Sequence, residues 1–141
     1  MSSQVYNSYK YNMFLGGIDL ATDTIKVALC TSSYTPDIDA HTVFSDITHE
    51  VTGTAYVAGG TTLTTPSVTQ DNTNNRGVFT ADNASWTSST ITARYAIIYK
   101  STGVASTSPL IAYIDFSTDQ SSTSGDFKIN WNVSNGILNV S

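Results

Sequence analysis

Residues 90–100 read Thr-Ile-Thr-Ala-Arg-Tyr-Ala-Ile-Ile-Tyr-Lys. Ile91, Ala93, Tyr95, Ile97 and Tyr99 fall on one side of an extended chain; Thr92, Arg94, Ala96, Ile98 and Lys100 fall on the other. A repeat of two with β-branched and aromatic residues is the mark of a half-buried β-strand. The pattern recurs on both sides of this stretch. Ile25, Val27 and Leu29 alternate with Lys26, Ala28 and Cys30, and Phe127, Ile129, Trp131 and Val133 alternate with Lys128, Asn130 and Asn132. Residues 110–116 are apolar on both sides as far as Asp115, which predicts a central strand. Weaker strands are expected at 54–58, 61–68, 77–81, 84–87 and 136–140, with Pro66 demoting its segment to an edge or breaking it. Gly59-Gly60, residues 71–77, Asp82-Asn83 and residues 101–109 carry turn chemistry; 117–124 reads as a polar hairpin loop.

Many short strands with such punctuation predict an all-β sandwich or barrel with one or two short helices. The helices are expected near the N-terminus, where Tyr6, Tyr9 and Met13 share a helical stripe, and around Phe44, Ile47 and Val51. The chain divides into residues 1–18, an N-terminal arm or short helix, and 19–141, a single β-sandwich domain.

Composition narrows the function. The chain has 141 residues, 12% of them charged, against about 25% in an average domain. Ser and Thr occupy the places that charges usually take. The net charge of −5 with only six basic residues speaks against tracking phosphates, so no direct contact with nucleic acid is expected. No apolar run approaches the length of a membrane span, and Met13-Phe14-Leu15 is too short for a secretory core, so neither a membrane nor a leader is expected. A single cysteine, Cys30, at the end of an apolar strand reads as a small hydrophobe.

Chemistry-bearing residues are few. His41 and His49 lie in an acidic stretch with Asp39, Asp46 and Glu50, but their spacing matches no closed zinc pattern. Asp71, Thr73, Asn75 and Asp82 echo a calcium loop with its glycine displaced to Gly77, and a β-turn is the plainer reading. No nucleophile elbow and no glycine-rich phosphate loop occur. The reading therefore assigns no catalytic, metal-binding or cofactor residues and expects no enzyme.

Aromatic residues are the remaining candidates. Val5, Tyr6, Tyr9, Tyr11, Phe14 and Ile18 crowd a segment whose first 18 residues hold one charge, Lys10. That composition resembles the centre of a protein interface. Trp86 has polar neighbours and reads as an exposed aromatic, whereas Trp131 shares a face with Phe127 and Ile129 and reads as core. Tyr6, Tyr9, Tyr11, Phe14 and Trp86 are the expected partner or oligomer interface. Removing residues 1–15 is accordingly expected to abolish binding and to leave the β fold largely intact.

An ordered series of strings carries a resemblance over nearly the whole chain: Asp23-Thr-Ile-Lys-Val-Ala-Leu29, Tyr34-Thr-Pro-Asp37, Phe44-Ser-Asp-Ile47, Val51-Thr-Gly-Thr-Ala-Tyr-Val-Ala-Gly-Gly60, Ser89-Thr-Ile-Thr-Ala-Arg-Tyr-Ala-Ile-Ile-Tyr-Lys100, Pro109-Leu-Ile-Ala-Tyr-Ile-Asp-Phe116 and Gly125-Asp-Phe-Lys-Ile-Asn-Trp131. It resembles small structural proteins of tailed-bacteriophage virions. Such proteins often carry Gly where this chain has Ala55, which weakens the expectation of a tight bend before Tyr56. The resemblance implies an all-β, jelly-roll-like antiparallel β-sandwich with one or two short helices, acting as a capsid decoration, or cement, protein on the outer shell, assembled in the host cytoplasm and clamping neighbouring subunits of the major capsid protein. A homo-oligomer, dimer or trimer, goes with that role. The alternative is a tail or head-fibre module whose aromatics bind host surface glycans.

Overall fold

The computed structural model describes residues 2–141. Its elements are β1 (Ser2–Val5), α1 (Asn7–Leu15), β2 (Ile25–Cys30), β3 (Thr61–Thr62), β4 (Ser67–Asp71), β5 (Arg76–Thr80), β6 (Ala84–Lys100), β7 (Leu110–Ile129) and β8 (Leu138–Val140). They form two antiparallel sheets, one ordered β1-β7-β6-β2-β3 and one ordered β4-β5-β8. The fold is an all-β sandwich with one short α-helix and single 3-10 turns at Phe44–Asp46 and Ala105–Thr107.

The larger sheet is covered on both faces, which explains why its strands are apolar on both sides. Ile25, Val27 and Leu29 of β2 join Ile91, Phe79, Trp86 and Phe127 in one core. The alternate residues Ala28 and Cys30 join Tyr6, Tyr34 and Tyr99 in a second. Successive side chains of a strand point to opposite faces, so the two cores lie on the two faces of the sheet. The smaller sheet and α1 supply Phe79, Leu138, Tyr9 and Met13 to the first core. The irregular chain between β2 and β3 supplies Tyr34, Ile38, Phe44 and Ile47 to the second. Each fully buried side chain of this size stabilises by about 1.5–3 kcal/mol.

The most unexpected elements are β6 and β7, with 17 and 20 residues. A straight ribbon of that length would leave most of its apolar residues with nothing to pack on. Instead it bends. Between the pairs Tyr95↔Asp115 and Ala93↔Gln120, β7 advances further than β6, and the ladder is interrupted again between Ser89 and Ile91 and between Trp86 and Ser89. Ser117 (φ 70°) and Ser124 (φ 48°) take left-handed backbone at the two bends. In consequence the Phe116 and Phe127 ring centroids are 6.3 Å apart, where a straight strand would separate the residues by about 36 Å. The Ser89 hydroxyl is fully buried at the interruption, within 3.0 Å of the Trp86 and Gly125 carbonyls and 2.7 Å from the Ser122 hydroxyl. It gives hydrogen-bonding partners to carbonyls beside the broken ladder.

Several local expectations are corrected here. Residues 117–124 are strand rather than hairpin loop, with Gln120, Ser121 and Ser122 paired to Ala93, Thr92 and Ile91. A hydroxyl-rich strand facing solvent and a polar loop have the same composition. The segment 61–68 is broken as expected at Pro66, where the donor is missing and Thr65 adopts φ 54°, and the two pieces, β3 and β4, belong to different sheets. Residues 84–87 begin β6 rather than forming a strand of their own, and β7 ends at Ile129, before Trp131 and Val133. The helical spacing around Phe44 yields one 3-10 turn. Of the two alternatives for residues 1–18, the short helix is present as α1, and it is preceded by Ser2 to Val5 paired with Asp115 to Ala112 as a strand of the larger sheet.

The turn between Gly53 and Gly60 is pinned to β2. The Tyr56 hydroxyl donates to Glu50 Oε2 at 2.6 Å and accepts the Leu29 amide at 2.9 Å, and the Gly59 amide donates to the same carboxylate at 2.6 Å. The bend before Tyr56 is present despite alanine: Ala55 sits at φ 66°. Left-handed backbone costs an L-residue about 1–2 kcal/mol, and glycine gives back about 0.5–1 kcal/mol in lost chain entropy. Ala55→Gly should therefore stabilise the fold by about 0.5–1 kcal/mol, read as a melting temperature about 2–4 °C higher in calorimetry. A lower melting temperature would show that the alanine methyl contributes packing that outweighs the backbone strain.

Candidate functional site

Helix α1 is apolar on two sides, and the two sides have different fates. Tyr6, Tyr9 and Met13 turn inward; Tyr6 is fully buried and Tyr9 is 4% exposed. Tyr11, Phe14 and Leu15, spaced i, i+3, i+4, form a second stripe. They are 65%, 86% and 65% exposed. An amphipathic surface helix would carry charged or polar residues on that side.

The helix is fixed at both ends. At its start the Tyr6 amide donates to the Ile111 carbonyl at 3.0 Å, the Asn7 amide to the Ile38 carbonyl at 3.1 Å, and Asn7 Nδ2 to Asp39 Oδ1 at 2.5 Å. The Tyr6 and Tyr34 hydroxyls meet at 3.0 Å, and the Tyr34 hydroxyl lies 2.9 Å from His41 Nδ1. Burial, with the bond to Tyr34, raises the Tyr6 phenol far above its ordinary value, so it stays neutral. At its end the Lys100 ammonium donates to the Gly17 carbonyl at 3.1 Å and pairs with Asp23 at 2.9 Å. The exposed stripe is therefore carried on a positioned element.

The expected interface residues separate accordingly. Tyr11 and Phe14 are on the surface. Tyr6 and Tyr9 are core, because their large rings are the plugs by which α1 seats on the sheet. Trp86 is also core, at 5% exposure, with its ring 6.1 Å from Tyr56 and 5.9 Å from Phe127. Its polar sequence neighbours Ser85 and Thr87 suggested exposure, yet in a strand they face away from it. Trp131 is half-buried against the same core, and its indole N–H donates to the Asp82 carbonyl at 2.9 Å. Three exposed valines at loop tips escaped the sequence reading: Val57 (73%), Val104 (56%) and Val133 (101%). The first two loops flank an open cleft of about 300 Å³ with Lys26, Phe44, Glu50 and Tyr99 in its walls.

The titratable groups are committed to local structure. His41 accepts or shares bonds with the Tyr34 hydroxyl and the Asp37 amide, His49 lies beside Thr48, and Asp46 accepts the amides of Thr42 and Val43. Those two amides, first of all, hold the Asp46 carboxyl below the usual range. Asp71 accepts from Asn74 and Arg76 within its turn. Among the described residues no three His, Cys, Asp or Glu side chains gather as a metal site. Burial, reinforced by the charge of Glu50, pushes the Cys30 thiol up to about 12, which keeps it out of thiolate chemistry. No helix among the described residues is long and apolar enough to cross a membrane.

No family model matches the chain, no curated protein is similar to it, and no solved structure matches it.

Proposed function

We propose that this chain is a non-enzymatic virion structural protein that binds the outer surface of an assembled phage capsid and stabilises the shell by bridging subunits of the major capsid protein. The observation that carries the reading is the contrast within α1: Phe14 is 86% exposed on a helix whose Tyr9 is 4% exposed. A large apolar ring presented by a fixed helix is poised to fill a pocket on a partner without the cost of ordering its backbone. The resemblance in the sequence supplies the identity of that partner. The charge of −5 suits the outside of a shell filled with phosphate.

The action is mechanical. A protein that binds the assembled lattice and not the free subunits stabilises the lattice by mass action. Contacts to several subunits at once raise the effective concentration of each further contact, so single contacts can be modest. The glycan-binding alternative draws on Trp86, Trp131 and the tyrosines as a sugar platform; Trp86 is 5% exposed, which leaves Tyr11, at 65%, as its better candidate.

Phe14→Asp tests the proposal, because the side chain is exposed and its loss leaves the core untouched. Binding to undecorated capsids should weaken by about thirtyfold or more, as for an interface anchor. The melting temperature should move only as for a surface substitution, within about 0.5 kcal/mol of stability. Undiminished occupancy on capsids would exclude this stripe as the contact.

A further inference from the structure

We infer that Asn135–Gly136 is a latent self-modification site, and that Arg76 guards it by holding the Asn135 side chain away from the Gly136 nitrogen. The inference is independent of capsid binding. An asparagine followed by glycine is prone to deamidation, because glycine sets no Cβ in the way of the attacking nitrogen. The Gly136 nitrogen attacks Asn135 Cγ and a five-membered imide closes. The side-chain nitrogen leaves as ammonia, taking the amide proton. Water then opens the imide to aspartate or to isoaspartate, and the latter adds a methylene to the backbone. Asn135 is exposed to that water.

Both reacting groups are restrained. Every nitrogen of the Arg76 guanidinium is used: Nε donates to Asp71 Oδ2 at 3.0 Å, Nη1 to Asn135 Oδ1 at 2.8 Å and Nη2 to the Ser134 carbonyl at 2.8 Å. Only arginine presents such a rigid fork. The Gly136 amide donates to the Asn132 carbonyl at 2.9 Å and must give up that bond before it attacks. Asn132 Oδ1 braces the turn by accepting the amides of Ser134 at 2.9 Å and Asn135 at 2.7 Å.

The fold needs the glycine and so keeps the hazard. Gly136 has φ 68°, and a Cβ there would lie 2.4 Å from the Phe79 carbonyl oxygen. A side chain at 136 would lift the turn off β5, so the restraint falls on Asn135 instead. What it protects is β8. Directly after the pair, the Ile137 amide donates to the Phe79 carbonyl at 2.8 Å, and Leu138 to Val140 pair with Phe79 to Gly77. A methylene added to the backbone at 135 would put this strand out of step with β5 and draw Leu138 off the first core.

Attack requires the turn to open, so the rate of deamidation follows the open fraction. The full chain is incubated in mildly alkaline buffer, and conversion of amide to acid is read by peptide mass spectrometry across Asn135. The folded parent should convert far more slowly than the same chain in urea. Arg76→Lys keeps the charge and loses the fork. It should convert about tenfold faster than the parent, the factor that a hydrogen bond from a charged group is worth. Gly103→Ala, strained by its φ of 87° in the loop between β6 and β7, loses stability elsewhere and should convert at the parent rate. Equal acceleration in both variants would place the reaction in the unfolded chain and overturn the inference. A rate in Arg76→Lys at or below that of the parent would overturn it too, as would a parent no slower folded than in urea.

Discussion

Deleting residues 1–15 should unfold the protein, the reverse of what a detachable arm would do. The deletion strips β1 from the ladder of β7 and exposes backbone groups along that strand. It removes the plugs of both cores, since Tyr9 belongs to one and Tyr6 to the other. It also leaves the Tyr34 hydroxyl without Tyr6 and the Ile111 and Ile38 carbonyls without their amide partners. Truncating one large buried aromatic costs about 3–5 kcal/mol, and a whole domain is stable by about 5–15 kcal/mol. Two such losses together with a lost strand exceed the reserve. Circular dichroism should show no cooperative thermal transition. A truncated chain melting cooperatively near the parent temperature would show that α1 and β1 are accessories. Shell binding lost on this deletion would therefore say nothing about the surface of α1, which is why the single substitution at Phe14 is the informative one.

Gly60→Ala should be nearly as damaging, by about 4 kcal/mol or more, in the range reached only by specific steric faults. Gly60 has φ 77°, and a Cβ there would lie 1.8 Å from the Val27 carbonyl oxygen and 2.6 Å from the Ala28 Cα. The obstacle is the backbone of β2, held between β6 and β3 in the larger sheet, and it has no rotamer by which to move aside. Thr61 pairs with Val27 directly after this point, so a displaced Gly60 also loosens β3. Gly103→Ala is the matched control. Its φ is 87°, but nothing lies within 4 Å of the added carbon, leaving only the left-handed backbone cost of about 1–2 kcal/mol. Urea denaturation of both variants separates steric from conformational loss. Equal destabilisation would mean that the close approach at Val27 relaxes at little cost.

The two substitutions also show what a sequence can carry. Gly59-Gly60 was legible as a turn, and the period-two pattern of residues 25–30 and 90–100 was legible as strands. The face each residue takes was legible in residues 25–30 but not through 90–100, where the register shift after Ala93 sets Ile91 and Ala93 with Ala96 and Ile98 in the first core while Ile97 and Tyr99 enter the second. That β2 is apolar on both faces was a hint of a sheet covered twice. The identity of the second cover, the chain bearing Tyr34, Ile38, Phe44 and Ile47, was not, since it has no regular secondary structure to announce it.

The candidate site was half legible. Tyr6, Tyr9, Tyr11 and Phe14 stood out as aromatic and nearly uncharged, but aromatic content does not say which ring points inward. In a helix with two apolar stripes either can seat on the core. The choice falls to whichever stripe meets Ile111 and Tyr34, residues far away in the chain. Trp86 was misread for a related reason: polar neighbours describe the opposite side of a strand, not the residue between them.

Local order alone determined that this protein is built of β-strands joined by turns, poor in charge and rich in hydroxyl groups, because strand periodicity and turn chemistry act between near neighbours. The tertiary structure alone decided that β6 and β7 bend back on themselves, that Gln120 to Ser122 are paired rather than looped, and that Phe14 stays in solvent while Tyr6 does not. Those outcomes depend on contacts between residues distant in the chain, where burial on one face is set by what the rest of the molecule brings to meet it.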